Sequence, residues 1–241
     1  MRNIQATYLL PNLLTASSIF VGVLSIIASS KGEFEKSSIL IFIAMILDGL
    51  DGRVARMTNT TSKFGVEFDS LADIVSFGVA PAMLLYFYVG HDFGKFGAMV
   101  SAMYVVFGAI RLARFNVSTN STEPNIFIGL PIPGTALALV IWIMFFKEYN
   151  LNEYTISILI FAMIISILMV SNIRYPSFKK FNLSRSNILK LLIITVILFS
   201  TLYIFPVEGF LFLITSYILF GIVRAIYNLA SRKIWKREIN N

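Results

Sequence analysis

The chain has 241 residues, of which 57% are hydrophobic and 14% charged, and its mean hydropathy is +0.78. That excludes an ordinary soluble domain, which sits nearer half apolar and a quarter charged, and indicates an integral membrane protein. The net charge of +7 comes with no nucleic-acid-binding motif and fits membrane orientation and contact with anionic lipid; with no cysteine, thiol chemistry is excluded as well.

A spanning helix takes about 20 mostly apolar residues. In chain order, candidate runs fall at 9–29, 37–56, 66–90, 95–115, 129–147, 153–171, 187–205 and 208–229. The first follows Arg2 and resembles a signal peptide. However, Pro11 and Asn12 interrupt its start, and the apolar part from Leu13 to Ala28 is long enough to be retained as a helix. The second and third are interrupted where they meet, by DGLDGRVARMTNTTSKFGVEFDSLAD (48–73), which reads as a helix end, a short turn and a helix start. In the fourth, GKFGAMVSA (94–102) has small residues that permit close helix packing. GLPIPG (129–134) places two prolines where the fifth begins, a helix-start signal. Only PVEG (206–209) separates the last two runs, as in a helical hairpin. The basic end RKIWKREINN (232–241) reads either as a surface segment or as a frayed tail.

The expected fold is therefore all-α: a polytopic membrane helix bundle of about eight transmembrane helices. It forms one domain over 1–241, with a catalytic core at about 8–147, additional helices at 153–229 and a basic tail at 230–241. With the N-terminus, the C-terminus and the loops after helices two, four and six on one side, that side holds every basic residue except Lys31, Lys36, Lys95 and Lys147. The positive-inside rule then puts both termini, and the stretch 48–73, at the cytoplasmic face.

Ionisable groups at membrane depth mark a functional site by default. Asp48, Asp51, Gly52 and Ala55 are spaced i, i+3, i+4, i+7, and Gly65, Asp69 and Asp73 are spaced i, i+4, i+8, so each set shares one helical face. Two carboxylates on each of two facing helices repel strongly at low dielectric unless cations join them. Oxygen-only donors suit hard divalent ions, Mg²⁺, Mn²⁺ or Ca²⁺, and four shared carboxylates suit a pair of them, as in phosphoryl-transfer sites. Gly52, Ala55 and Gly65 leave room for a ligand beside the acids. Arg56 adds a planar donor fork suited to phosphate. Together these residues describe a pyrophosphate–metal site.

The eight positions Asp48-x₂-Asp51-Gly52-x₂-Ala55-Arg56-x₈-Gly65-x₃-Asp69-x₃-Asp73 resemble the full signature of the CDP-alcohol phosphatidyltransferase family. LPNLLT (10–15), RLARFN (111–116) and GLPIPG resemble its serine-accepting, phosphatidylserine-forming branch, over roughly residues 8 to 140. The resemblance implies transfer of a phosphatidyl group from CDP-diacylglycerol to the hydroxyl of L-serine, with release of CMP. It implies that Asp48, Asp51 and Asp69 bind metal, Mg²⁺ or Mn²⁺, that Asp73 completes the metal site and serves as the base, and that Gly52, Ala55, Arg56 and Gly65 border the CDP-lipid. Direct displacement at the lipid-bearing phosphorus is the expected course, in a bacterial or archaeal cytoplasmic membrane, with a homodimer as the usual state in the family.

Other residues admit two readings each. Asn12 and Thr15 reach the nucleotide or cap the first helix. Of Arg111 and Arg114, at least one binds the serine carboxylate or a lipid phosphate, or both merely anchor the topology; Asn116 is a lesser candidate beside them. His91 reads as a solvated loop residue, Glu67 as capping or solvent-facing, and the sequons at 59–61 and 120–122 fall on the cytoplasmic side. A metal-ion transporter would also explain intramembrane carboxylates, but not Gly52, Ala55 and Arg56 at fixed spacing, nor the apolar cores of the last four helices. A third reading has the acids paired with Arg53, Arg56 and Lys63. The same chemistry with glycerol-3-phosphate, inositol phosphate or choline as acceptor is not excluded by residue chemistry alone.

Overall fold

The computed structural model describes residues 9–118, 126–176 and 185–239. Arg2, Lys179, Lys180 and the sequon at 120–122 lie outside them. The described chain is nearly all helical: α1 (Leu9–Ser30), α2 (Phe34–Met57), α3 (Lys63–Asp73), α4 (Ala80–Tyr88), α5 (Gly94–Ser118), α6 (Ile132–Glu148), α7 (Ile156–Val170), α8 (Arg185–Ile204) and α9 (Pro206–Ile239). A widened, π-helical segment, Ile74–Val79, joins α3 to α4, so Lys63–Tyr88 forms one continuous rod.

Among the described residues, four rods are long and apolar enough to cross a membrane: Leu9–Ser30, Lys63–Tyr88, Gly90–Val117 and Pro206–Tyr227. The protein is accordingly an integral membrane protein. Three of the other expected spans fall short for identifiable reasons. Asp48, Asp51 and Arg53 dilute the apolar run of α2, and α6 and α7 have only 17 and 15 residues.

Three local features differ from the sequence expectation. First, the fold is not purely α: Ile126–Ile128 (β1) pairs antiparallel with Arg174–Pro176 (β2), with Phe127 opposite Tyr175. Strands of three residues leave no periodic signature. Second, Pro206 already belongs to α9, where its missing N–H is no loss, so the hairpin turns on Phe205 rather than on PVEG. Third, the basic stretch does not begin a new element: the α9 backbone stays helical through it to Ile239. GLPIPG does start a helix: Pro131 is the N-cap of α6. Gly129 takes φ +76°, with Met169's carbonyl where a Cβ would stand.

α1 packs chiefly along α2 and against the α3–α4 rod, α5 against α7, α6 against α9, and α8 against α9. In lipid the hydrophobic effect does not drive helix association. Close backbone approach and buried hydroxyl bonds do. At Gly22 a Cβ would lie 2.8 Å from the Ser76 Oγ, so α1 needs glycine to meet the π-helical segment. There Ser76 donates to the Ser18 carbonyl at 3.0 Å, and the hydroxyl of Ser18 reaches the Ala44 carbonyl at 3.2 Å, tying three helices together. Gly97, in the small-residue stretch 94–102, rests on the Gly90 carbonyl of its own chain.

Candidate active site

α2 keeps its helix through the acidic stretch and ends at Met57. Asn59 turns the chain at φ +52°, and the Thr60 N–H bonds the Ala55 carbonyl, closing the helix. α3 then starts at Lys63, three residues before the expected 66, because Ser62 caps it: its Oγ accepts from the Gly65 N–H at 3.0 Å. A serine three residues before a helical glycine was the available signal. The short turn brings the C-terminus of α2 beside the N-terminus of α3.

Asp48, Asp51 and Asp69 each present a carboxylate oxygen within 4.8 Å of the other two. Asp51 is buried, and Asp48 and Asp69 are half-buried. Asp73 joins them through a hydrogen bond shared with Asp48, and its Oδ1 is sealed from solvent with no partner among the described residues. Within that set no base comes within ion-pair distance of the four acids, since the ion pairs present are Lys36–Glu33, His91–Asp92 and Lys147–Glu35. Arg53 and Lys63 therefore do not neutralise the cluster, and Arg56 acts on Asp51 and Asp69 only at longer range. Uncompensated acids, oxygen-only donors and an orphaned buried carboxylate oxygen together fit a divalent cation.

Beside the cluster opens a cleft of about 160 Å³, lined by residues that include Asn12, Thr15, Gly52, Ala55, Arg56 and Gly65, with Asp51 and Asp69 on its wall. Gly52 faces the Arg56 guanidinium, which would lie 3.4 Å from a Cβ there. At Gly65 a Cβ would stand 3.2 Å from the Ser62 Oγ and 3.7 Å from the Asn12 Oδ1. Thr15 does not cap α1, because the helix already runs from Leu9; its hydroxyl donates to Asp51 Oδ2 at 2.7 Å and lies 3.1 Å from the Pro11 carbonyl. Thr60, Thr61 and Ser62 also line the cleft. Sequence reading passed over them because a polar turn between helices has no spacing to decode.

The two arginines of α5 diverge. Arg111 is buried, lies over the Phe115 ring at 5.3 Å, and has Asp73 and Tyr217 as its electrostatic neighbours. Arg114 turns away and donates to the Val170 and Ser171 carbonyls and to Asn172 Oδ1, where it caps α7. Asn116 donates to the Ser70 Oγ at 2.9 Å, which ties α5 to α3 away from the acidic face. Glu67 is exposed, and His91 pairs with Asp92 on the loop after α4.

Comparison with known proteins adds independent findings. A family model described as CDP-alcohol phosphatidyltransferase matches residues 8–170, further than the motif-based resemblance reached. A Helicobacter pylori (strain J99) protein named CDP-diacylglycerol–serine O-phosphatidyltransferase is 50% identical over 226 residues, 93% of this chain and 94% of its own. A Methanocaldococcus jannaschii protein of the same name is 40% identical over 179 residues, covering 74% of this chain and 79% of its own. The archaetidylserine synthase of Methanothermobacter thermautotrophicus is 37% identical over 177 residues, 73% of this chain and 72% of its own.

Proposed function

Because the chain belongs to the CDP-alcohol phosphatidyltransferase family, we propose that it transfers the phosphatidyl group of CDP-diacylglycerol to the hydroxyl of L-serine, giving phosphatidylserine and CMP. The observation that carries this reading is the meeting of Asp48, Asp51 and Asp69 within 4.8 Å, on the flank of a cleft that also holds Arg56. The serine-specific names of relatives that match most of the chain favour serine over glycerol-3-phosphate, inositol phosphate or choline.

The residues take distinct parts. Gly52, Ala55 and Gly65 give the cytidine and pyrophosphate close access to the backbone, with Asn12 at the cleft edge, and Arg56 meets a phosphate. Asp48, Asp51, Asp69 and Asp73 hold Mg²⁺ or Mn²⁺, two ions by carboxylate count. Thr15 orients Asp51 through its hydroxyl. Bound divalent cations supply neutralisation of the pyrophosphate and of the departing CMP. Serine's hydroxyl is a weak nucleophile at neutral pH. Asp73 takes its proton as the oxygen bonds to the lipid-bearing phosphorus and the P–O bond to CMP breaks. Of the two α5 arginines, Arg111 is the one oriented toward Asp73, and we assign it to the serine carboxylate; Arg114 serves the fold.

The same reading places the eight helical rods across a bacterial or archaeal cytoplasmic membrane, with both termini and the site on the cytoplasmic side and a homodimer as the working unit. The basic-residue distribution supports the orientation.

The test is CMP release from CDP-diacylglycerol by detergent-purified protein, with each acceptor offered separately and Mg²⁺ or Mn²⁺ present. Release that requires L-serine supports the proposal. Release that requires glycerol-3-phosphate, inositol phosphate or choline keeps the chemistry and overturns the acceptor.

A further inference from the structure

The widened segment Ile74–Val79 begins directly after Asp73, the last residue of α3. At its far end the Ala80 N–H bonds the Val75 carbonyl, five residues back. Such a turn holds one residue more than an α-helical turn, and each residue turns a helix by about 100°. An unbroken α-helix running back from α4 would therefore carry Asp69 and Asp73 about 100° around the axis, away from Asp48 and Asp51. The acid cluster depends on the widened turn.

Side-chain hydroxyls hold that turn from two sides. The Ser76 hydroxyl donates to the Ser18 carbonyl of α1 at 3.0 Å, and the Ser18 hydroxyl lies 3.3 Å from the Ser76 Oγ and 3.2 Å from the Ala44 carbonyl of α2. From α5 the Tyr104 hydroxyl donates to the Phe77 carbonyl at 3.2 Å. Ser18, Ser76, Phe77 and Tyr104 are all buried, so water does not replace these bonds when one is lost. The Ser18–Ser76 contact stands one helical turn from the acids on each of three helices. Ser18 is three residues after Thr15, which bonds Asp51; Ala44 is four before Asp48; Ser76 is three after Asp73. Gly22 permits the close approach, since a Cβ there would come 2.8 Å from the Ser76 Oγ and 3.0 Å from its Cα. The Asp73 Oδ1 has no partner among the described residues, so the backbone beneath, rather than a bond to that oxygen, aims the carboxylate.

We propose that Ser76 is a positioning residue for Asp73: by pinning the widened turn to α1, it keeps the carboxylate aimed at the reacting hydroxyl and at Asp48. The proposal rests on Asp73 being the base, and not on which alcohol is the acceptor. Misplacing a reacting group by about 1 Å costs about 10²-fold in rate, so a hydroxyl that never touches substrate carries a kinetic effect.

The experiment places Ser76→Ala in wild type and in Asp73→Asn, as full-length protein in detergent–lipid micelles. CMP release is followed with whichever alcohol supports it, so a wrong acceptor overturns the proposed function without disturbing this comparison. Ser29→Ala removes a hydroxyl bonded to Ser37 at 2.7 Å, between the same two helices but away from the acids, and is the control for losing a buried hydroxyl bond. In the wild-type background Ser76→Ala lowers kcat about ten- to a hundred-fold, with the KM of both substrates within about two-fold. In Asp73→Asn it lowers kcat further by no more than about two-fold, because a residue that acts through Asp73 has nothing left to aim. Titration calorimetry with Mn²⁺ reads the same displacement without turnover: Ser76→Ala weakens binding in wild type and leaves it unchanged in Asp73→Asn. Ser29→Ala melts lower by a similar amount and keeps wild-type kcat. Tyr104→Phe, which acts on the same turn from α5, shows the same dependence on Asp73 and decides the matter where Ser76→Ala does not fold. Equal losses of kcat and of Mn²⁺ affinity in the two backgrounds overturn the assignment and mark a structural role. So does wild-type kcat in folded Ser76→Ala. Wild-type turnover in Asp73→Asn overturns the base itself, and this assignment with it.

Discussion

At the end of the bundle where α1 turns into α2, each acid in an ion pair has its base close by: Glu33 with Lys36 at 2.9 Å, Glu35 with Lys147 at 3.0 Å, Asp92 with His91 at 3.2 Å. Tyr149 donates to Glu208 there as well, joining α6 to α9. At the opposite end Asp48, Asp51, Asp69 and Asp73 crowd together with no base within ion-pair reach among the described residues. The same helices carry both ends, α2 from Glu35 to Asp51, so helix propensity does not explain the contrast. One end satisfies its charges with side chains. The other leaves them for ligands, and a fold tolerates that only where binding restores the balance.

The comparison breaks most directly at the metal. Chelation of the purified protein should abolish CMP release, and re-addition of Mg²⁺ or Mn²⁺ should restore it and raise the melting temperature with ion concentration, as linkage requires. Full activity after exhaustive chelation would sink the reading of the acid cluster. Asp73→Asn is next, with CMP release expected to fall about 10²–10⁴-fold, the usual range for a lost general base. Because Asn can donate to Asp48 without adding a charge to the acid cluster, the metal-free variant should also melt at least as high as wild type. A metal-free Asp73→Asn that melts lower than wild type would mean the cluster is already compensated. Thr15→Val removes only the hydroxyl on Asp51 Oδ2, and loss of such an outer partner typically weakens metal affinity about 10–100-fold. Calorimetric metal titration would show it, and an unshifted affinity would leave Thr15 as a packing residue.

How legible this was in the sequence differs by residue. Asp48 and Asp51, and Asp69 and Asp73, announce themselves because three- and four-residue spacings put side chains on one helical face, and two such faces joined by a five-residue turn must meet. The rods themselves follow from runs of apolar residues. What spacing does not encode is proximity between distant segments: Thr15 bonded to Asp51 across 36 positions, or Arg111 in the electrostatic field of Tyr217 across three intervening helices. The parting of Arg111 from Arg114 was equally hidden. Three residues apart on a helix, they lie about 60° apart in projection, and only the position of the α7 carbonyls decides that one is a cap while the other faces Asp73. The widened turn at Ile74–Val79 left no trace in the apolar pattern. It is readable only once Ser76 is seen against Gly22 and the Tyr104 hydroxyl is seen donating to the Phe77 carbonyl at 3.2 Å.

The smallest expected effect lies at the paired end, and it sharpens the contrast by inverting it. Lys147→Met removes the partner of Glu35, whose side chain is 70% exposed, so stability should fall by no more than about 1 kcal/mol, while the serine KM and kcat stay at wild-type values. Exposed pairs also respond to pH. Lys36 holds the Glu33 carboxyl below its ordinary value by hydrogen bond and charge. Its contribution is therefore present above the carboxyl's unfolded value and fades as pH falls through the lower, folded one. Melting curves for wild type and Lys36→Met should accordingly converge at acid pH and separate slightly toward neutrality. A loss of CMP release in either variant, with the fold intact, would show that the two ends are coupled through the bundle. Unchanged release would establish that charge pairing at the far end serves the helices alone.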